Sequence, residues 1–312
     1  MDNRGKDDPV SASTVTSSDK GLDSRRWWAL AAVSLAAFMT YLDNNIVNVA
    51  IPTIQHSLHL SVSGLEWVVS SYLLTVAGLL LVGGRLADVF GRRRLFLAGM
   101  AVFTLSSLAA GLAGSGGVLI ASRAIQGIGA ALLMPATLAI IMATFTNARE
   151  RSTAIGIWAA AGALALATGP ALGGLISQHL HWGWIFLINV PVGVLTFVIT
   201  MFYVAESRSE SVVRQLDLPG LATSALSLFA LTYALIQGSE SGWTSPRILG
   251  AFALAAISAG IFLVIESRSA HPMVDLKMFR SREFSGGSGT MMIWAFGILG
   301  IYFFTSLYLQ QT

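Results

Sequence analysis

Two long apolar stretches each carry one residue able to hold a full charge. Asp43 lies in "LDNNIVNVAIP", with Asn44, Asn45 and Asn48 beside it, and Arg123 opens "RAIQGIGAALLMPA", three residues before Gln126. A charge at the centre of a membrane helix costs at least ~2.5 kcal/mol, so each must meet a partner or a water-filled cavity. At helical rise, Asp43 sits ~14 Å before the end of its stretch at Pro52, and Arg123 ~9 Å after the start of its own. The first stretch runs outward and the fourth inward, so both charges fall in the outer half of a bilayer, within reach of a long arginine. The two are therefore expected to share one polar cavity, with Asn44, Asn45 and Asn48 lining its wall. Burial favours the neutral form of such an acid, and a neighbouring arginine favours the carboxylate. A carboxyl group held between those effects suits proton exchange. The same two residues would also serve as a static salt bridge, and the sequence leaves both readings open.

Other chemistry finds little support. The absence of cysteine excludes disulfides and thiolate metal sites. The histidines His56, His59, His179, His181 and His271 fall in predicted loops without the helical spacing of a metal site, so no metal is expected. No nucleophile, base and oxyanion donor can be placed together and no phosphate loop occurs, which argues against an enzyme and against a bound cofactor. The glycines after Arg123 follow no strand, so they are not a dinucleotide loop.

The elements that must position Asp43 and Arg123 are helices in a membrane. Hydrophobic residues make up 54% of the 312 and charged residues 11%, with a mean hydropathy of +0.69, whereas soluble domains carry roughly a quarter charged. Apolar blocks near 25–52, 65–86, 95–113, 117–142, 153–177, 184–204, 218–237, 247–265 and 285–309 are each long enough for a span. The "SRRWW" string that opens the first block is read as the start of a retained span, because polar residues interrupt the stretch and no cleavage site follows. The chain is thus expected to be an all-α polytopic membrane protein of about nine spans.

An N-terminus inside the cell places Arg92, Arg93, Arg94, Arg149, Arg151, Arg208, Arg214, Arg268, Lys277, Arg280 and Arg282 in cytoplasmic loops and Arg247 outside. The net charge of +3 is then spent on orientation, and nucleic acid is not expected as a partner. Residues 1–24, polar and without periodicity, read as a disordered cytoplasmic tail. Residues 25–204 form six spans, 205–216 a charged connector, 217–265 a helical pair, 266–284 a cytoplasmic loop and 285–312 one further helix. Asp217 before Pro219 and Ser245 before Pro246 read as capped helix starts.

Four motifs carry a resemblance. "GRLADVFGRRRL", from Gly84 to Leu95, joins spans two and three through a tight charged turn. Gly91 permits the turn, and Asp88 can accept from nearby arginines. This string resembles the signature loop of the major facilitator superfamily, in which Gly84, Asp88, Gly91, Arg92 and Arg93 would lock the cytoplasmic gate. The Arg123 string resembles that family's span-four motif, which implies a proton-coupling role for Arg123 with Gln126, Gly127 and Gly129 as companions. In span five, Gly156, Gly162, Gly169, Pro170, Gly173 and Gly174 resemble the antiporter signature, with Ala165 where the family often has glycine. The Asp43 string resembles the first-span motif of the fourteen-span drug:proton antiporters of the EmrB/QacA type, although that branch more often has threonine near Asn44 or Asn45. "WGWIFLINVPVG" resembles the start of that branch's sixth span.

The resemblance implies a major facilitator fold: an N-terminal six-helix bundle, two extra helices and the first helix of a second half. It implies proton-coupled export of amphipathic small molecules across the inner or plasma membrane, driven by the proton gradient. The glycine and proline pattern of span five argues against an importer. With an odd number of spans and no second half in view, the chain is expected to be truncated or to need a partner chain that supplies the remaining spans.

Overall fold

The computed structural model describes residues 17–208, 217–269, 272, 274 and 276–311, with backbone alone at 17–23 and 298–311. The described residues form helices α1 (Ser17–Leu58), α2 (Val62–Phe90), α3 (Arg92–Gly111), α4 (Gly116–Thr144) and α5 (Ala148–His179). These are followed by α6 (Trp184–Leu187), α7 (Asn189–Tyr203), α8 (Leu218–Ser241), α9 (Pro246–Arg268) and α10 (Arg282–Gln311). Eight spans of these described residues are long and apolar enough to cross a membrane, α6 and α7 together making the sixth. The ninth predicted block corresponds to α10.

Local chemistry explains where the helices stop. Ser61, Ser115, Asn147, Asp217 and Ser245 each accept from a backbone N–H in the first turn of the helix that follows, the two starts predicted from sequence among them. Pro191 cannot donate to the carbonyl four residues back, and α6 ends at that residue, Leu187. The predicted sixth span is thus two helices meeting at Ile188.

Two sequence expectations change here. The first helix begins at Ser17 rather than Arg25, so part of the expected tail is helical; residues 1–16, residues 209–216 of the connector and His271 lie outside the described residues. His56 and His179 are not in loops, because α1 and α5 run on past their apolar cores and carry them in their last turns.

The core sits where α4 is clasped between α2 and α3, with α1 against α5 and α7 against α1 and α3. Glycines allow these approaches. A Cβ at Gly127 would come within 2.7 Å of the Tyr72 carbonyl on α2, and one at Gly129 within 2.6 Å of the Phe103 nitrogen on α3. One at Gly83 would strike the Ala131 carbonyl oxygen. Gly169 and Gly173 press on Asn45 and Val49 of α1. Helix α8 pairs with α9 and lies along α2.

Candidate functional site

Helices α1, α3, α4 and α7 converge on a buried polar cluster centred on Asp43. Asp43, Arg123 and Gln126 are each 0% exposed. Three residues separate Arg123 from Gln126, so α4 presents both toward α1. Arg123 Nη1 donates to Asp43 Oδ2 at 2.5 Å and to Gln126 Oε1 at 2.7 Å, while its Nε donates to the Val68 carbonyl at 3.2 Å. Gln126 Nε2 donates to Asp43 Oδ1 at 2.8 Å, and Asn189 Nδ2, at the start of α7, donates to the same oxygen at 2.9 Å. Both amides also donate to Ser107 Oγ of α3, whose hydroxyl donates in turn to the Phe186 carbonyl. The guanidinium lies 4.2 Å from the ring centroid of Tyr72 and 5.6 Å from that of Phe186, both favourable distances for a cation over an aromatic face.

The arrangement compensates a buried charge pair almost completely. The carboxylate accepts three hydrogen bonds and has about four lone-pair sites, so one acceptor position is left. Arg123 Nη2 is buried without an acceptor. The carboxylate is thus held from α4 and α7, with one lone-pair position facing no donor among the described residues.

The structure therefore joins Asp43, Arg123 and Gln126 but not the three asparagines. Successive helical residues turn by about 100°, which sets Asn44, Asn45 and Asn48 well round α1 from Asp43. Asn45 donates to the Tyr41 carbonyl at 2.8 Å, facing α5, and Asn48 to the Asn44 carbonyl at 3.2 Å. The expected cavity wall is replaced by direct contact among fully buried groups. Asn189 and Ser107 were missed from sequence. The one available signal was an amide two residues before Pro191 in an otherwise apolar string.

A second constellation ties the loop between α2 and α3 to the end of α7. Gly91 has φ +110°, which a side chain rarely adopts, and a Cβ there would lie 2.5 Å from Glu206 Oε1. Glu206 accepts from the backbone nitrogens of Arg93 and Arg94, each at 3.2 Å, and so caps α3 from the connector that follows α7. Arg92 stands 3.7 Å from Asp88, whereas Arg93 Nη2 donates to the Met201 carbonyl at 2.6 Å. The acid that sequence reasoning missed is Glu206, hidden in a connector that has no periodicity. Glu206→Ala is expected to destabilise the bundle by about 1 kcal/mol, the usual cost of a lost cap. A lowered thermal midpoint in detergent would register it.

In the remaining two motifs the glycines divide. Gly169 and Gly173 pack on α1, but a Cβ at Gly156 or Gly174 meets nothing within 4 Å and one at Gly84 meets only Pro135 at 3.7 Å. The close approach at the end of α2 belongs to Gly83 instead. Pro170 lies inside a continuous α5.

Comparison with known proteins agrees with this architecture. The family model described as Major Facilitator Superfamily matches residues 33–312. A multidrug resistance protein Stp of Mycobacterium tuberculosis is 41% identical over 282 residues, covering 90% of this chain and 52% of that protein. The tetracenomycin C resistance and export protein of Streptomyces glaucescens is 38% identical, covering 93% and 54%. A methylenomycin A resistance protein of Bacillus subtilis is also 38% identical, covering 90% and 60%. The chain thus spans about half the length of the curated relatives it matches. A solved peptide transporter POT shares the fold at TM-score 0.57 and 19% identity, over 80% of this chain and 53% of its own. With a family model matched over nearly the whole chain and eight described membrane-length spans, this multi-pass membrane protein, no enzyme, belongs to the major facilitator superfamily.

Proposed function

We propose that this chain works in the proton-coupled export of drugs or other amphipathic small molecules, as part of an antiporter of the fourteen-span branch. The observation that carries this reading is the buried Asp43 carboxylate, held by Arg123, Gln126 and Asn189 with one acceptor site left. Relatives named for resistance to, or export of, several unrelated antibiotics support the cargo class. In the proposed cycle a proton and a cargo molecule bind alternately, and occupancy decides which side opens as one six-helix half rocks against the other. The arginines at the N-terminal side of the bundle support a cytoplasmic N-terminus in the cell membrane. The second half would come from further spans or from a partner chain.

The test is cargo-driven proton release in inverted vesicles, using the chain alone and the chain joined to the C-terminal half of a matched relative. Asp43→Asn in the joined form is expected to reduce proton release to background while the protein remains in the membrane. Undiminished coupling in Asp43→Asn would make the cluster a static bridge and move the proton site elsewhere.

A further inference from the structure

On the buried face of α7, Asn189 is followed by Gly193, Thr196 and Thr200, all buried and spaced at four, seven and eleven residues. Thr196 and Thr200 are 0% exposed, yet neither hydroxyl has a hydrogen-bond partner among the described residues. That is unusual, because a helical threonine commonly donates to a carbonyl three or four residues back, as Thr40 and Thr223 do here. Thr104 of α3 packs directly on Gly193, and its hydroxyl is likewise buried without a partner. Across from them α1 offers Ala36, Ala32 and Ala29, all on the face of Asp43 and at most 3% exposed. Small side chains and unfilled hydroxyls therefore form one seam that starts at the Asp43 cluster.

The seam has an outlet. Ala29 and Met201, the neighbour of Thr200, line a cavity of about 340 Å³ at the N-terminal end of the bundle, together with Arg25, Arg26 and Arg93. From Asn189 to Thr200 the distance along the axis is ~16 Å, divided into steps of ~6, ~4.5 and ~6 Å. Each step is close to the ~5.5 Å that two hydrogen bonds in series through one water cover. Ser107 is fully committed, accepting from two amides and donating to Phe186, so it anchors the cluster and does not relay.

We propose that this seam between α1, α3 and α7 carries the proton between Asp43 and the arginine-lined cavity, with Thr104, Thr196 and Thr200 as relay hydroxyls. The inference rests on the reading of Asp43 as the proton carrier. A hydronium in the cavity passes a proton through a water beyond Met201 to a lone pair of Thr200, which gives its own proton to the next bridging water. The same exchange repeats at Thr196 and Thr104, and the last water donates to the unused acceptor site of Asp43. Each O–H bond broken is replaced by one formed, so the net result is one proton moved and one carboxylate neutralised. The titratable groups facing Asp43 are Arg123 of α4 and Tyr72 of α2, while α3 and α7 present the uncharged Ser107 and Asn189.

The test is time-resolved infrared spectroscopy of the chain in lipid nanodiscs after a pH jump, following the protonated carboxyl band that Asp43→Asn removes. The double variant Thr196→Val, Thr200→Val keeps side-chain shape but deletes both hydroxyls. It is expected to slow protonation of Asp43 at least about tenfold, with an unchanged titration midpoint and an equal or higher thermal midpoint. Ser34→Ala removes another buried, unpartnered hydroxyl, nine residues before Asp43 and so on the opposite face of α1, and should leave the rate unchanged. Protonation at the unmodified rate in the double variant, or equal slowing in Ser34→Ala, overturns the seam and leaves the carrier role intact. Absence of any Asp43 band between roughly pH 4 and 9 would sink the carrier role and the seam together.

Discussion

Arg123→Ala is expected to destabilise the folded bundle by about 3–5 kcal/mol, the cost of leaving a buried charge without its partner. The truncation strands the Asp43 carboxylate at 0% exposure, supported by two neutral amides alone. It also removes the donor to the Val68 carbonyl and the cation above Tyr72. The double change Asp43→Leu with Arg123→Met should recover most of the loss, because apolar replacements of similar volume are often neutral where single removals are not. Denaturation midpoints in detergent for Asp43→Leu, Arg123→Met and the double would give the coupling directly. Near-equal stability of Arg123→Ala and the parent would mean that the carboxylate finds relief elsewhere.

Gly83→Val is expected to prevent the normal packing of α2 on α4, at or above the ~1–3 kcal/mol typical of overpacking. The obstacle is backbone, the carbonyl of Ala131 and the Cα of Leu132, and neither can rotate away as a side chain would. Its neighbour provides the contrast. A Cβ at Gly84 meets Pro135 at 3.7 Å, an ordinary contact, so Gly84→Ala should be neutral or gain up to about 1 kcal/mol of helix propensity. The yield of monodisperse protein after solubilisation separates the two variants, and equal tolerance at both positions would show that α2 can be lifted off α4 cheaply.

The spans were legible because a bilayer imposes a minimum apolar length that few other structures need. Their ends were less so: α5 runs from Ala148 to His179, beyond its apolar core, since caps rather than hydropathy decide where a helix stops. The Asp43–Arg123 pair could be inferred from one physical requirement, that two isolated charges at similar depth must meet. Asn189 and Ser107 could not, because neutral polar residues occur in spans without needing a partner of opposite sign. The same reasoning misjudged Asn44, Asn45 and Asn48, which are adjacent in sequence but radiate around the helix. Gly84 carries the motif spacing, whereas the steric demand at this end of α2 falls on Gly83, which meets the α4 backbone. Glu206 caps a helix that starts more than a hundred residues earlier, and no local pattern records such a pairing.

The clasp on α4 also bears on how the protein can diversify. Gly127 and Gly129 are spent on opposite neighbours, and Arg123 and Gln126 on the polar cluster, so substitutions at these four positions of α4 disturb packing whatever else they change. Sequence change is left to side chains that hold no neighbour in place, such as the exposed Asn48 of α1. Tolerated variants of this chain should accordingly accumulate at such exposed positions and spare the backbone contacts of α4.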